Sequence, residues 1–181
     1  MPNIEIKARY NNLSKGRQIA DGLKTKYIGV IRQIDTYFNT AQGRLKLREI
    51  PGQGAWLIPY VKTYEKRPAK SDYQLLEVKD AEAIKSLFSI LLGTRFVVDK
   101  TREVFLIDNV RVHLDEVKGL GHFLEFEAVY DIDTPEVRDR ESRKVAELMS
   151  TFGIDAADLV TTGYVDLLEH QHSGESAPAP L

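Results

Sequence analysis

The chain has 181 residues, near the size of one ordinary domain, with 25 Lys and Arg against 27 Asp and Glu for a net charge of −2. It contains no cysteine, which excludes disulfides, thiolate metal sites and a cysteine nucleophile. The balanced charge excludes a general nucleic-acid coat, so an anion site must be a local basic cluster.

Asn3 to Tyr10 alternates, with Ile4, Ile6 and Ala8 on one side and Glu5, Lys7 and Arg9 on the other, the period of a strand. A helix follows, opened near Asn11 or Asn12, with Leu13, Ile19, Ala20 and Leu23 at helical spacing. Residues 28–38 and 44–50 read as strands around the Ala41-Gln42-Gly43 turn, and Ala55–Thr63 as another, where Pro59 predicts an edge position or a bulge. A short strand at 72–79 precedes a helix with Asp80 as N-cap, apolar at Ile84, Leu87, Phe88 and Leu91, with Gly93 at its end.

Three strands follow at about 95–107, 110–117 and 121–131, joined by tight turns at Asp108-Asn109 and Lys118-Gly119. Thr134 and Pro135 open a last clear helix that Gly153 stops. Gly163–Leu168 fits helix and strand alike. Residues 171–181 are small, polar and Pro-containing and predict a disordered tail, leaving 1–170 as the folded domain. About eight strands in hairpin succession with three helices predict an α+β fold whose antiparallel sheet closes or curls. No apolar run approaches the roughly 20 residues that span a bilayer, and the amino terminus lacks a signal-peptide pattern. The chain therefore reads as cytoplasmic, with neither membrane nor nucleic acid as a partner.

Strand parity gathers charge. Glu5, Lys7 and Arg9 share a face, as do Lys46 and Arg48, Lys100 and Arg102, Arg111, His113 and Asp115, and Glu125 and Glu127. The apolar faces must receive the helices, so the charged faces line the inside of the curled sheet. Two cations about 6 Å apart repel by roughly 3 kcal/mol at an effective dielectric near 20. An interior holding Lys7, Arg9, Lys46, Arg48, Lys62, Lys100, Arg102 and Arg111 therefore calls for an anion, and a polyphosphate supplies it. The acids Glu5, Asp115, Glu125 and Glu127 are hard oxygen donors suited to Mg²⁺ or Mn²⁺, which bind one or two carboxylates with phosphate oxygens. His113 reads as a wall residue, and the four histidines show no zinc spacing.

The order of these residues resembles the CYTH superfamily, the triphosphate tunnel enzymes, and most of all its CyaB, or class IV adenylyl cyclase-like, branch. Its amino-terminal ExExK signature stands as Asn3-Ile4-Glu5-Ile6-Lys7, with Asn3, a neutral and poorer ligand, in place of the first acid. The similarity continues through Asp35-Thr36-Tyr37-Phe38, Leu45-Lys46-Leu47-Arg48-Glu49, the strand from Leu57 to Lys62, and Lys100-Thr101-Arg102. It ends on the hairpin His113 to Val117 and Gly119 to Glu127, covering about residues 3–168.

The resemblance implies an eight-stranded antiparallel β-barrel with helices packed outside. It implies substrate binding by Lys7, Arg48, Lys62, Lys100 and Arg102, which Arg9, Lys46 and Arg111 join by strand parity, catalytic roles for Lys7 and Glu125, and Mg²⁺ or Mn²⁺ on Glu5, Asp115 and Glu127. A homodimer is a further family-level expectation. Three functions follow from the same grip: cyclisation of ATP to cyclic AMP and pyrophosphate, hydrolysis of inorganic, thiamine or nucleoside triphosphate, and non-catalytic binding of a polyphosphate or nucleotide. The cyclase-like reading is taken first.

Overall fold

The structure is a computed structural model and describes residues 2–23, 25–60 and 74–174. In chain order the elements are β1 (Asn3–Arg9), α1 (Leu13–Gly22), β2 (Lys26–Phe38), β3 (Arg44–Ile50), β4 (Gly54–Tyr60) and β5 (Leu76–Val78). Then come α2 (Ala81–Leu92), β6 (Thr94–Ile107), β7 (Val110–Val117), β8 (Gly121–Val129), α3 (Pro135–Phe152) and α4 (Tyr164–Ser173). The helix starts follow their caps: Asn12, Asp80 and Thr134 side chains accept from the backbone N–H of Lys15, Ala83 and Val137. Gly153 ends α3 in the left-handed conformation at φ 68°, where a Cβ would be strained.

Among the described residues eight strands lie in the order β1-β8-β7-β6-β2-β3-β4-β5, with β1 and β5 at the two ends and no backbone pairing between them. The pairings β1–β8, β7–β8, β2–β3, β3–β4 and β4–β5 are all antiparallel. The expected α+β architecture on an eight-stranded antiparallel sheet is therefore present. Pro59 pairs with Leu45 of β3, and beyond the Ala55–Leu57 stretch that β5 covers its carbonyl accepts from the Gln74 N–H at 3.4 Å, so only its missing N–H leaves the ladder incomplete.

By its contacts the chain forms two compact units. Of the described residues, the first holds those up to Ile31 with Arg102–Gly163, and the second holds those from Arg32 to Thr101 together with α4. In the first unit, apolar rows cross three strands: Ile4–Ala128–Val110, Ile6–Phe126–Val112 and Ala8–Leu124–Leu114. Leu13, Ile19 and Ala20 of α1 pack on them, with Val137, Val145, Met149 and Phe152 of α3. Gly16 lets α1 come close, since a Cβ there would meet the Leu114 side chain and the Tyr10 ring at 3.0 Å. In the second unit Phe38, Leu47 and Ala55 form the core under Ile84 and Phe88 of α2.

Three expectations change. Leu87 and Leu91 do not join Ile84 and Phe88 inside: with Ile90 they form an exposed second apolar face of α2. The ambiguous stretch after Gly163 is helix α4, giving four helices where three were expected. That helix runs to Ser173, past the boundary drawn at residue 170, while 175–181 lie outside the described residues. Among the described residues no helix is long and apolar enough to cross a membrane.

The inside and outside of the second unit can be told apart by truncation. Leu47→Ala, at a fully buried site, should cost about 2–5 kcal/mol in urea unfolding. Ile90→Ala, at a site 79% exposed, should change stability by less than about 0.5 kcal/mol. Comparable losses in the two variants would contradict this packing.

Candidate functional site

Register converts strand parity into neighbours, because residues paired across an antiparallel ladder share a face. On the face opposite the first core the rows are Glu5–Glu127–Arg111, Lys7–Glu125–His113 and Arg9–Phe123–Asp115. All seven charged residues expected on β1, β7 and β8 thus stand together with His113. Lys7 Nζ lies 2.7 Å from Glu125 Oε1 and 3.8 Å from Glu5. Arg102 of β6 donates Nε and Nη2 to the two oxygens of Asp115, each at 2.6 Å, and its Nη2 also reaches Glu125. Asp115 is fully buried, and its carboxylate is turned to Arg102. Glu127 accepts from Asn3 Nδ2 at 3.0 Å and from Arg111 Nη1 at 3.1 Å.

The electrostatics follow from this crowding. Burial alone would lower the Lys7 pKa, but the Glu125 and Glu5 carboxylates outweigh it and the value is raised. Lys7 is therefore an ammonium at neutral pH. Glu5 is raised too, first by the protein packed around it and then by Glu125, although 48% of its side chain meets solvent. That openness lets solvent screen the effect. Burial lowers His113, against the pull of Glu125 at 3.4 Å from Nδ1. A carboxylate only accepts, so the neutral imidazole carries its proton on Nδ1.

The second unit has its own constellation. Asp35 on β2 accepts from Lys46 Nζ at 2.8 Å and from Arg48 Nε and Nη2 at 2.7 and 2.6 Å. Burial would raise the Asp35 pKa, yet Lys46 and Arg48 hold it well below the usual carboxylate range. The Lys46 ammonium lies 5.4 Å from the Tyr37 ring centre and 5.9 Å from that of Tyr60. Arg44 on the same face of β3 pairs with Asp166 of α4 at 2.8 Å, and the buried Lys100 lies 5.0 Å over the Tyr164 ring. Lys62 lies outside the described residues.

Several members were not singled out from sequence. Asp35 was quoted within Asp35-Thr36-Tyr37-Phe38 without a role, although parity with Tyr37 marks its face. Phe123 shares parity with Glu125 and Glu127, and the Arg9 guanidinium lies 5.3 Å above its ring. Asp166 and Tyr164 carry no sequence signal for the partners they meet. Among the described residues no three His, Asp or Glu side chains are grouped to hold a metal ion. The donor set still suits one: Glu5 faces Glu127 across the ladder, and Mg²⁺ needs only one or two carboxylates with phosphate and water.

Asp35→Asn tests the second constellation. It strands two cations, one with 12% and the other with 23% of its side chain exposed, and should cost about 3–5 kcal/mol. The depressed pKa adds stability that is complete above the ordinary value of about 4 and lost only as pH falls through the lower folded value. The wild-type advantage in urea should therefore be flat between about pH 7 and 5 and shrink below about pH 4. A loss already complete at pH 5 would overturn the assignment.

With this geometry in place, the likeness to known proteins can be stated. The family model described as the CYTH domain matches residues 1–164. The Methanocaldococcus jannaschii protein named "Putative adenylate cyclase MJ0240" is 24% identical over 176 residues, covering 92% of this chain and 98% of that one. The PH1012 protein of Pyrococcus horikoshii OT3 superposes with a TM-score of 0.78 at 26% identity, over 91% of this chain and 98% of its own. HpAC1 of Hippeastrum, named a "putative adenylyl cyclase" with a dominant triphosphatase activity, superposes with a TM-score of 0.67 at 16% identity, over 98% of each chain. Matched by that model over nearly its whole described length, the chain belongs to the CYTH domain family.

Proposed function

We propose that the chain is a divalent-metal-dependent enzyme acting on a triphosphate, and that its reaction is of the adenylyl cyclase kind. In that reaction the ribose 3′-oxygen of ATP bonds to the α-phosphorus, the bond to the β-phosphate oxygen breaks, and pyrophosphate leaves with cyclic AMP. The observation that carries the reading is the pair of rows Lys7–Glu125–His113 and Glu5–Glu127–Arg111. They set ammonium and guanidinium groups beside carboxylates on one face, the mixture that phosphate charge and a counter-cation require together.

The residues take these roles. Lys7, a fixed ammonium, lends its charge to phosphate oxygens. Glu125, held by Lys7 and Arg102, keeps both cations in place. The 3′-hydroxyl proton is released to solvent, which reaches this face beside the exposed Glu5. Glu5 and Glu127 are the ligands for Mg²⁺ or Mn²⁺, with Asp115 orienting Arg102. Such an ion, when bound, neutralises phosphate charge and orients the phosphates. Arg9, Arg102 and Arg111 are the further substrate-binding groups of the first unit, and Lys46, Arg48 and Lys100 are a phosphate-binding set of the second.

A second reading, a triphosphatase that sets water on inorganic, thiamine or nucleoside triphosphate, uses the same groups. It is favoured by one observation: the ring on the first unit's charged face, Phe123, is fully buried and offers no base a surface.

Incubation with ATP, tripolyphosphate and thiamine triphosphate under Mg²⁺ or Mn²⁺ separates the readings. Cyclic AMP and pyrophosphate are expected from ATP; orthophosphate would establish the hydrolase, and binding without turnover a polyphosphate-binding module. Lys7→Ala should weaken tripolyphosphate about tenfold or more, as loss of a charge-assisted hydrogen bond does. Glu127→Gln should keep the fold and raise the metal concentration for half-maximal turnover at least about tenfold. An unchanged metal dependence would remove Glu127 from the metal.

A further inference from the structure

The chain has a single tryptophan, Trp56, which stands half-buried on β4. Its neighbours Ala55 and Leu57 point into the second core, so Trp56, Ile58 and Tyr60 lie on the face that carries Lys46 and Arg48. In the ladder Trp56 pairs with Arg48 of β3 and with Glu77 of β5, while Arg48 pairs onward with Asp35. One row across four strands therefore reads carboxylate, guanidinium, indole, carboxylate. With strands about 4.8 Å apart, Trp56 stands roughly 5 Å from Arg48 and Glu77 roughly 10 Å from it along the sheet.

The indole is half-buried and Glu77 is exposed. A Cβ at Gly54 would come within 3.3 Å of the outer ring of Trp56, and Gly54 holds φ +140°, where side chains are rare. Position 54 is thus bare beside the ring. A large π-surface next to a guanidinium, with a carboxylate beyond, matches the parts of a nucleotide in order: phosphate, base plane, and the N–H donors of the base edge. Base stacking on an indole tolerates any base, whereas a carboxylate only accepts and so prefers an edge with an amino group.

We propose that Trp56 is the stacking platform for the base of an amino-bearing nucleotide such as ATP, with Arg48 on the phosphate side and Glu77 accepting from the amino group. This rests on the triphosphate reading above and narrows it to nucleoside triphosphates over tripolyphosphate.

Because the tryptophan is unique, its emission reports this face alone. ATP should change Trp56 fluorescence saturably, at the concentrations where calorimetry shows binding, and tripolyphosphate should bind with little change. Trp56→Ala should weaken ATP about tenfold or more and leave tripolyphosphate within twofold, while Trp56→Phe, which keeps a ring, should recover most of the loss. Glu77→Ala, which removes the acceptor, should weaken ATP several-fold and spare tripolyphosphate. The proposal is overturned if ATP binds without altering the emission, or if Trp56→Ala weakens both ligands equally or neither. An unchanged ATP affinity in Glu77→Ala removes the carboxylate from base recognition. If wild type binds neither ligand, the triphosphate reading itself falls, and this inference with it.

Discussion

In an antiparallel ladder a single registration decides which side chains meet, and slipping it by one residue turns every side chain to the other face. The β1–β8–β7 ladder shows what depends on this. At the observed register Ile4, Ile6 and Ala8 enter the apolar rows with Leu124, Phe126 and Ala128, and Glu5, Lys7 and Arg9 enter the charged ones. A slip would press Lys7 and Glu5 against α1 and α3 and would expose the isoleucines. The apolar core of the first unit and its charged face are one decision.

The second consequence is compensation. Charge removed from water is tolerable only in opposed pairs, and each constellation is built that way: Lys7 on Glu125, Arg102 on Asp115, Lys46 and Arg48 on Asp35, Arg44 on Asp166. The cations are thereby held in place before any substrate arrives, with little rotamer freedom left to lose. A phosphate that engages them does so by exchange, taking over donors that a carboxylate already uses. Asn3 fits this economy. Its amide orients Glu127 without adding a negative charge to a row that already sets Glu5 against Glu127.

Parity was legible in the sequence because it is local: two residues apart means the same face, and the charged sets on β1, β3, β7 and β8 follow from it. Partners were not, because register is set by the whole ladder. No local pattern joins Asp35 to Arg48, Asp115 to Arg102 or Asp166 to Arg44. The α2 face was misread for another reason. Its Leu87, Ile90 and Leu91 continue an apolar pattern around the helix, and hydrophobicity alone does not say which side meets the sheet. The α4 segment, short and apolar at Val165, Leu167 and Leu168, fits either period until its packing is known.

The pairing of β1 with β8 also shapes the birth of the protein. Asn3 meets Val129 and Arg9 meets Phe123, so β1 finds its partner only after more than a hundred further residues have been synthesised. At ribosomal speeds of about 5–20 residues per second this is a wait of order ten seconds. Meanwhile Ile4 and Ile6 have no sheet to enter, and the ladder that orders Lys7 cannot begin. Contacts this distant in sequence slow folding through the entropy of closing the loop between them. Until then β1 is a sticky, unpaired strand, and its charged alternate residues Glu5, Lys7 and Arg9 oppose pairing with a wrong chain.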